Sequence, residues 1–176
     1  MRALSTLLKP KDVGFEWGSG RSTVWFARRC RKVHSIEHNP GWFEKVLEML
    51  RADRLENVDL QDRHVPESVR FADGDRPYVS AIDAHAKGSF DFAIVDGKFR
   101  DRCALRAVDY WRPGGLLILD NCDWYLPNDE TATPDARHSH DGPLTEAWGE
   151  FLQRVADWRI VWTTSGIDDT AIWFKP

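Results

Sequence analysis

The stretch Val13-Gly-Phe-Glu-Trp-Gly-Ser-Gly-Arg-Ser-Thr23 decides how the chain is read. Val13 to Trp17 is a short apolar run of strand length that ends in glycine. Gly18 and Gly20 let a backbone turn tightly and approach a ligand closely. Ser22 to Cys30 then reads as a helix, whose first amides and positive dipole end face an anion. Two common phosphate loops do not match. A dinucleotide fingerprint wants a third small residue where Thr23 stands, and a P-loop wants Gly-Lys-Ser/Thr.

Outward from this stretch, apolar runs alternate with segments of helical period. Val33 to Glu37 reads as the second strand. Asn39-Pro40 is a helix start, since Asn caps and Pro fits the first helical position. Trp42, Phe43, Val46, Leu47 and Leu50 follow as one apolar face. Asn57 to Leu60 is a weak third strand, residues 62–77 are polar and irregular, and Tyr78 to Ala86 is a short helix. Phe90 to Val95 and Leu116 to Leu119 are buried strands. Between them Arg100 to Trp111 is helical until Arg112-Pro-Gly-Gly115 breaks it. After a polar loop over 121–143 come a helix over Leu144 to Ala156 and two strands, Arg159 to Thr163 and Thr170 to Phe174.

This order predicts an α/β fold with a doubly wound, mostly parallel sheet covered on both faces. The link between the last two strands is too short for a parallel crossover, so the final strand should run antiparallel. No repeat or linker divides residues 1–176, which read as one domain.

Composition narrows the class. Of 176 residues, 12 are Gly and 9 Pro, which excludes collagen-like and low-complexity chains, and 9 Trp with 9 Phe argue against disorder. The formal net charge of −4 lacks the basic surplus of nucleic-acid-binding domains, so no nucleic acid is expected. Arg28-Arg29 and Arg31-Lys32 read as a solvated helix end. No apolar run is long enough for membrane insertion, and the first residues do not form a signal peptide. The three cysteines, Cys30, Cys103 and Cys122, read as reduced thiols, which points to the cytoplasm.

Glu37 ends the second strand, where a carboxylate can accept hydrogen bonds from both hydroxyls of a ribose; the alternative is a surface acid. Glu16-x-Gly18-x-Gly20 with Glu37 resembles the cofactor half of class I S-adenosylmethionine-dependent methyltransferases. The resemblance continues through Phe90-Asp-Phe-Ala-Ile-Val-Asp96-Gly97, Arg112-Pro-Gly-Gly-Leu-Leu-Ile-Leu-Asp120-Asn121 and the closing hairpin. It implies a seven-stranded Rossmann-like sheet, S-adenosylmethionine as cofactor, and Glu16, Gly18, Gly20, Glu37 and Asp96 as cofactor-binding residues. Gly18 and Gly20 would face the methionine end, Glu37 the ribose, and the segment Gln61 to His64 the adenine. Trp17 is open to two readings, a pocket wall or a core aromatic, and Ser22 to two, a helix cap or a cofactor contact.

Asp96 and Asp120-Asn121 end the fourth and fifth strands, which border the ligand crevice in such sheets. Three oxygen ligands suit a hard cation such as Mg²⁺. The spacing is similar to the metal set of catechol-type and caffeoyl-coenzyme-A-type O-methyltransferases. A metal there would bind substrate oxygens and lower a hydroxyl pKa. The competing reading is a metal-free pocket in which Asp96 or Lys98 takes the proton. Lys98 lies two residues after Asp96, where those relatives carry lysine three residues after. His138-Ser-His140 reads as solvated loop, and Trp124 and Tyr125 as candidate substrate contacts.

The expected function is methyl transfer to a hydroxyl of a small molecule, by a chain that inserts in no membrane and leaves room for a homodimer. A nucleotide-binding oxidoreductase and a catalytically silent Rossmann-like binding module are the alternatives, because a fold alone does not fix function.

Overall fold

The computed structural model of the protein describes residues 2–66 and 76–176. Its strands are β1 (Val13–Trp17), β2 (Lys32–Glu37), β3 (Val58–Asp62), β4 (Phe90–Val95), β5 (Trp111–Asp120), β6 (Arg159–Thr164) and β7 (Asp169–Phe174). They form one seven-stranded sheet in the order β3-β2-β1-β4-β5-β7-β6. β7 runs antiparallel to both β5 and β6, and the remaining pairs are parallel. The last strand is therefore antiparallel, as the short Ser165 to Asp168 link requires.

The helices are α1 (Arg2–Leu7), α2 (Arg21–Ala27), α3 (Pro40–Ala52), α4 (Arg76–Val79), α5 (Arg100–Ala107) and α6 (Glu146–Arg154). Asn39 caps α3 by accepting the Trp42 amide at 2.9 Å, with Pro40 at the first helical position. Alternation along the buried strands splits the core in two. Phe15, Trp17, Phe90, Val95, Leu117 and Leu119 pack to one side with Trp148 and Phe151 of α6. Val33, Phe92, Ile94, Ile118 and Ile172 pack to the other with Phe26 of α2. Each such side chain contributes about 1.5–3 kcal/mol by leaving water, which is why continuous apolar runs make the central strands.

Three local expectations change. The break expected at Arg112 to Gly115 is instead the start of β5, and a register shift between Phe90 and Phe92 of β4 absorbs the irregularity. On α3 only Val46 and Leu50 are buried, while Trp42 projects from the sheet end. The short helix after residue 77 is α4 followed by a 3₁₀ turn over Ser80–Ala84. Most of the polar stretch 62–77 lies outside the described residues. Among the described residues, no helix is long and apolar enough to cross a membrane. The three cysteines are unpaired and buried.

The long segment after β5 is tied to the sheet around a buried acid, Asp169 at the start of β7. Its carboxylate accepts hydrogen bonds from Thr131, from Thr133 at 2.6 Å and from the Trp162 indole at 2.7 Å. Its own amide donates to Asp123 at 2.8 Å. Burial pushes the Asp169 carboxyl up, but its hydrogen bonds, Thr131 and Thr133 foremost, outweigh that and hold it below the ordinary carboxylate value. Asp169→Ala should therefore cost about 2–4 kcal/mol, since it strands several donors in the interior. Urea unfolding at neutral pH measures the cost, which should shrink in acid as the wild-type carboxylate protonates. A loss below ~0.5 kcal/mol would mean that the segment is held elsewhere.

Candidate active site

The site is built where β1, β2, β4 and β5 end. Gly18 follows β1 with φ +90°, a left-handed conformation that side-chain-bearing residues rarely take. A Cβ there would lie 2.6 Å from the Gly97 amide nitrogen, so the loops after β1 and β4 meet backbone to backbone. Gly18 thus serves the close contact between loops, and it also borders the cleft that opens here. Gly20 differs: its φ of −178° is extended, and a Cβ would meet nothing closer than the Trp42 indole nitrogen at 3.7 Å.

Glu16 lies beneath this loop. It is fully buried and accepts hydroxyl hydrogen bonds from Ser22 (2.7 Å), Thr23 (2.5 Å) and Ser35 (2.6 Å). Thr23 in turn accepts the Gly20 amide at 2.8 Å. Thr23, which breaks the dinucleotide fingerprint, is here the link that fixes the loop from below. The cofactor contact expected of Glu16 is corrected accordingly: its carboxylate is used up inside the protein, and it does not line the cleft above. Ser22 is a hydroxyl partner of this acid, and Trp17 is a core aromatic whose indole donates to the Tyr78 carbonyl at 3.0 Å.

Glu37 joins the glycine loop to the turn before α3. One carboxylate oxygen accepts the His38 and Asn39 amides at 2.9 and 2.8 Å; the other accepts the amide and hydroxyl of Ser19, both at 2.9 Å. These four donors fill the approximate lone-pair capacity of a carboxylate. Trp42 closes the rim, its indole donating to the Ser19 carbonyl at 2.6 Å. Between these parts opens a cleft of about 810 Å³, lined by Gly18 to Ser22, Glu37, Trp42, Lys45 and Asp96 among others. The segment after β3 runs beside it, with the Arg63 amide on the Glu37 carbonyl at 2.7 Å.

A second cleft, of about 500 Å³, lies on the other side of Asp96. Leu4, Phe26, Ile94, Ile118 and Ile172 give it an apolar wall, and Asp96, Asp120, Thr163, Thr164, Asp168 and Thr170 a polar one. Asp96 and Ser22 border both clefts. Burial pushes Asp96 up to about 6 against the pull of Arg100, with the neighbouring Asp120 and then Glu37 adding to the rise.

The expected Mg²⁺ site needs correction. Arg100 donates to the Asp96 carboxylate at 3.0 Å and to the Asn121 side-chain oxygen at 3.0 Å, and also bonds the Asp120 carbonyl. A cation already sits against two of the oxygens meant for the metal, those of Asp96 and Asn121, and the Asp120 carboxylate accepts the Thr170 hydroxyl at 2.9 Å, so the three as found do not fit one. Among the described residues, no group of three or more His, Cys, Asp or Glu is arranged to hold a metal ion. Lys98 is also turned away from the second cleft, its ammonium 3.3 Å from the Pro66 carbonyl. His138 and His140 remain in the loop, beside Asp129 and Asp141. Trp124 is exposed, and Tyr125 packs between Arg100 and Trp148. Sequence reasoning missed Ser19, Trp42 and Arg100. Arg100 lies four residues after Asp96, but Asp96 follows a strand and Phe99 is left-handed, so helical pairing rules gave no signal for this contact.

A family of methyltransferase domains matches residues 15–122, and the chain belongs to that family. Among curated proteins none matches. Among solved structures, precorrin 8W decarboxylase of Methanobacterium thermoautotrophicum is 18% identical, with a TM-score of 0.61 over 99% of this chain and 88% of its own. An rRNA methylase of Streptococcus thermophilus is 14% identical, with a TM-score of 0.62 over 98% and 92%. SMU.1697c of Streptococcus mutans, solved in complex with SAH, is 11% identical, with a TM-score of 0.62 over 98% and 93%. At these identities the likeness is one of fold, the Rossmann-like methyltransferase fold.

The buried acid under the loop makes stability depend on pH in a set direction. Burial pushes Glu16 up to about 7, despite hydrogen bonds from Ser35, Thr23 and Ser22. An unfolded chain releases this proton near pH 4.5. Between the two values the folded state holds the extra proton, so stability falls as pH rises and levels off above about 7. The fall amounts to about 3 kcal/mol at most. Glu16→Gln carries no such proton, so wild type should lose stability relative to it from pH 5 to 8 in parallel melts. Curves that stay parallel across that range would show Glu16 ionised in place.

Proposed function

We propose that the protein is an S-adenosylmethionine-dependent methyltransferase acting on a hydroxyl group of a small molecule. The observation that carries this reading is Asp96, a carboxylate on the wall shared by two clefts. One cleft is bounded by the open backbone of Gly20 and by Glu37, which suits a nucleoside cofactor; the other is of small-molecule size. The family membership supports the reaction class, and the SAH held by the Streptococcus mutans protein supports the choice of cofactor. One structural neighbour is an rRNA methylase, but the second cleft here carries three aspartates and no lysine, arginine or histidine. Such a lining repels phosphate and favours a neutral or cationic acceptor.

When bound, S-adenosylmethionine would supply a sulfonium methyl that an acceptor oxygen would take by in-line attack, with S-adenosylhomocysteine as the leaving group. The protein's part is positioning and proton transfer. Gly20 leaves the cleft open to the cofactor, and Glu37 offers its carboxylate to the ribose. Because Glu37 already has four donors, the Ser19 hydroxyl must turn away to make room. Asp96 takes the acceptor's proton as the new oxygen–carbon bond forms. Alignment of the two clefts across one side chain supplies the remainder of the rate.

Three results follow for cofactor binding by calorimetry. Glu37→Gln should weaken S-adenosylmethionine by ~10–100-fold, the value of a charged hydrogen bond. Ser19→Ala should bind at least as well as wild type, because it frees a lone pair on Glu37. Gly20→Val should lose binding while keeping a cooperative melt, since the space a side chain would enter is open in the folded chain. Normal binding by both Gly20→Val and Glu37→Gln would remove this cleft from consideration.

The acceptor step is tested by detecting S-adenosylhomocysteine during a screen of phenols, sugars and other hydroxyl compounds. Activity on a hydroxyl acceptor should fall as pH drops through about 6, where Asp96 gains its proton, and Asp96→Asn should remove nearly all of it. An Asp96→Asn variant with full turnover would assign the proton to another group.

A further inference from the structure

All five N–H groups of Arg100 are committed. Nε donates to the Gly97 carbonyl at 3.0 Å. One terminal nitrogen donates to the Asp120 carbonyl and, at 3.0 Å, to the Asn121 side-chain oxygen. The other donates to the Asp96 carbonyl at 2.9 Å and to its carboxylate at 3.0 Å. A guanidinium has five such donors in a fixed plane, so none is left for an incoming ligand. The side chain is 12% exposed and lies over the Tyr125 ring.

Independent strain in the backbone points at the same group. Among the described residues three that are not glycine have positive φ, and two of them flank this guanidinium. Phe99, at φ 50°, directly precedes Arg100 and sets the first turn of α5. Asn121, at φ 47°, carries the side-chain oxygen that receives it. Left-handed backbone is costly for Phe and tolerated more readily by Asn, and it persists where the surroundings fix it.

We infer that Arg100 is the resident cation of this site, standing in place of a divalent metal against the Asp96 carboxylate, the Asn121 side-chain oxygen and the Asp120 backbone carbonyl, and clamping the ends of β4 and β5 together. An arginine suits this place better than a lysine, whose three donors on one nitrogen could not span five acceptors. The clamp makes Arg100 a positioning residue. It holds one oxygen of Asp96 and leaves the rest of that carboxylate to the clefts. It also makes the site indifferent to metal supply. The clamp itself stands apart from the identity of the acceptor; only its use in catalysis rests on the reading of Asp96 as proton acceptor.

The test needs no substrate. Mn²⁺ is titrated into the protein and its free signal followed by electron paramagnetic resonance, in parallel with thermal melts. Wild type should show no stoichiometric site. Arg100→Ala removes the cation but keeps the three oxygen-bearing side chains, so it should gain one Mn²⁺ site, at least ~10-fold tighter than any wild-type binding. Asp120→Ala added to Arg100→Ala should abolish that gain. A variant changed only in general stability would gain no metal. Where Arg100→Ala melts too low to study, Arg100→Gln, which also lacks the charge, takes its place with the same expectation. A single wild-type Mn²⁺ site lost in Asp120→Asn would overturn the inference, as would folded Arg100 variants that bind no more Mn²⁺ than wild type. Calorimetry with S-adenosylmethionine on the same wild-type sample separates the two proposals. Failure there counts against the methyltransferase reading and leaves the clamp to be judged on Mn²⁺ alone.

Discussion

The loops after β1 and β4 touch through bare backbone at Gly18 and Gly97, and the site depends on that contact. A Cβ on Gly18 would stand 2.6 Å from the Gly97 nitrogen, and one on Gly97 would stand 2.9 Å from the Gly18 nitrogen. The strands beneath impose the approach: the Gly18 amide donates to the Ile36 carbonyl of β2, and the Asp96 amide to the Trp17 carbonyl of β1. With the loops this close, Asp96 emerges at the seam and faces both clefts. A side chain on either glycine would separate the loops, and the two clefts would no longer share a wall.

Three acids around this seam, and a fourth at the start of β7, have been given different work by their surroundings. Glu16 receives three hydroxyls in full burial and is pushed toward its neutral form. Glu37, equally buried, receives three amides and a hydroxyl and ties one loop to the next. Asp169 anchors the segment after β5. Asp96 alone of the four borders both clefts, between a guanidinium and a second carboxylate. Environments that separate similar groups in this way are how one fold divides structural from chemical roles.

The strand sequence was legible because buried parallel strands are continuous apolar runs, as in Phe90 to Val95 and Leu116 to Leu119. The antiparallel final strand was legible because a chain of four residues cannot cross a sheet. What escaped were features that depend on two distant segments at once. The periodicity of α3 marked Trp42 as one of an apolar face, but which residues of a helix overhang the sheet is decided by where β2 ends. Glu16 sits in a glycine-loop pattern, yet its burial depends on Ser35 of β2 as well as on Ser22 and Thr23. The Arg112 to Gly115 segment carries residues that break helices, but α5 has already ended at Ala107, and opposite a bulge the segment belongs to the start of a strand.

The same limit explains the metal. Asp96 with Asp120-Asn121 is an oxygen cluster in sequence terms, and oxygen clusters at strand ends are compatible with a divalent ion or with an arginine. Choosing between them requires knowing where the first turn of α5 points, which the left-handed Phe99 decides. Once the guanidinium is directed to the ends of β4 and β5, its charge answers the Asp96 carboxylate and its five donors answer five oxygens. A bound metal would then have to displace a fixed cation and leave the carbonyls of Asp96, Gly97 and Asp120 without their donors. Burying polar groups unpaired is costly, and that cost, rather than any lack of oxygen ligands, is what turns this cluster from a metal site into a clamp.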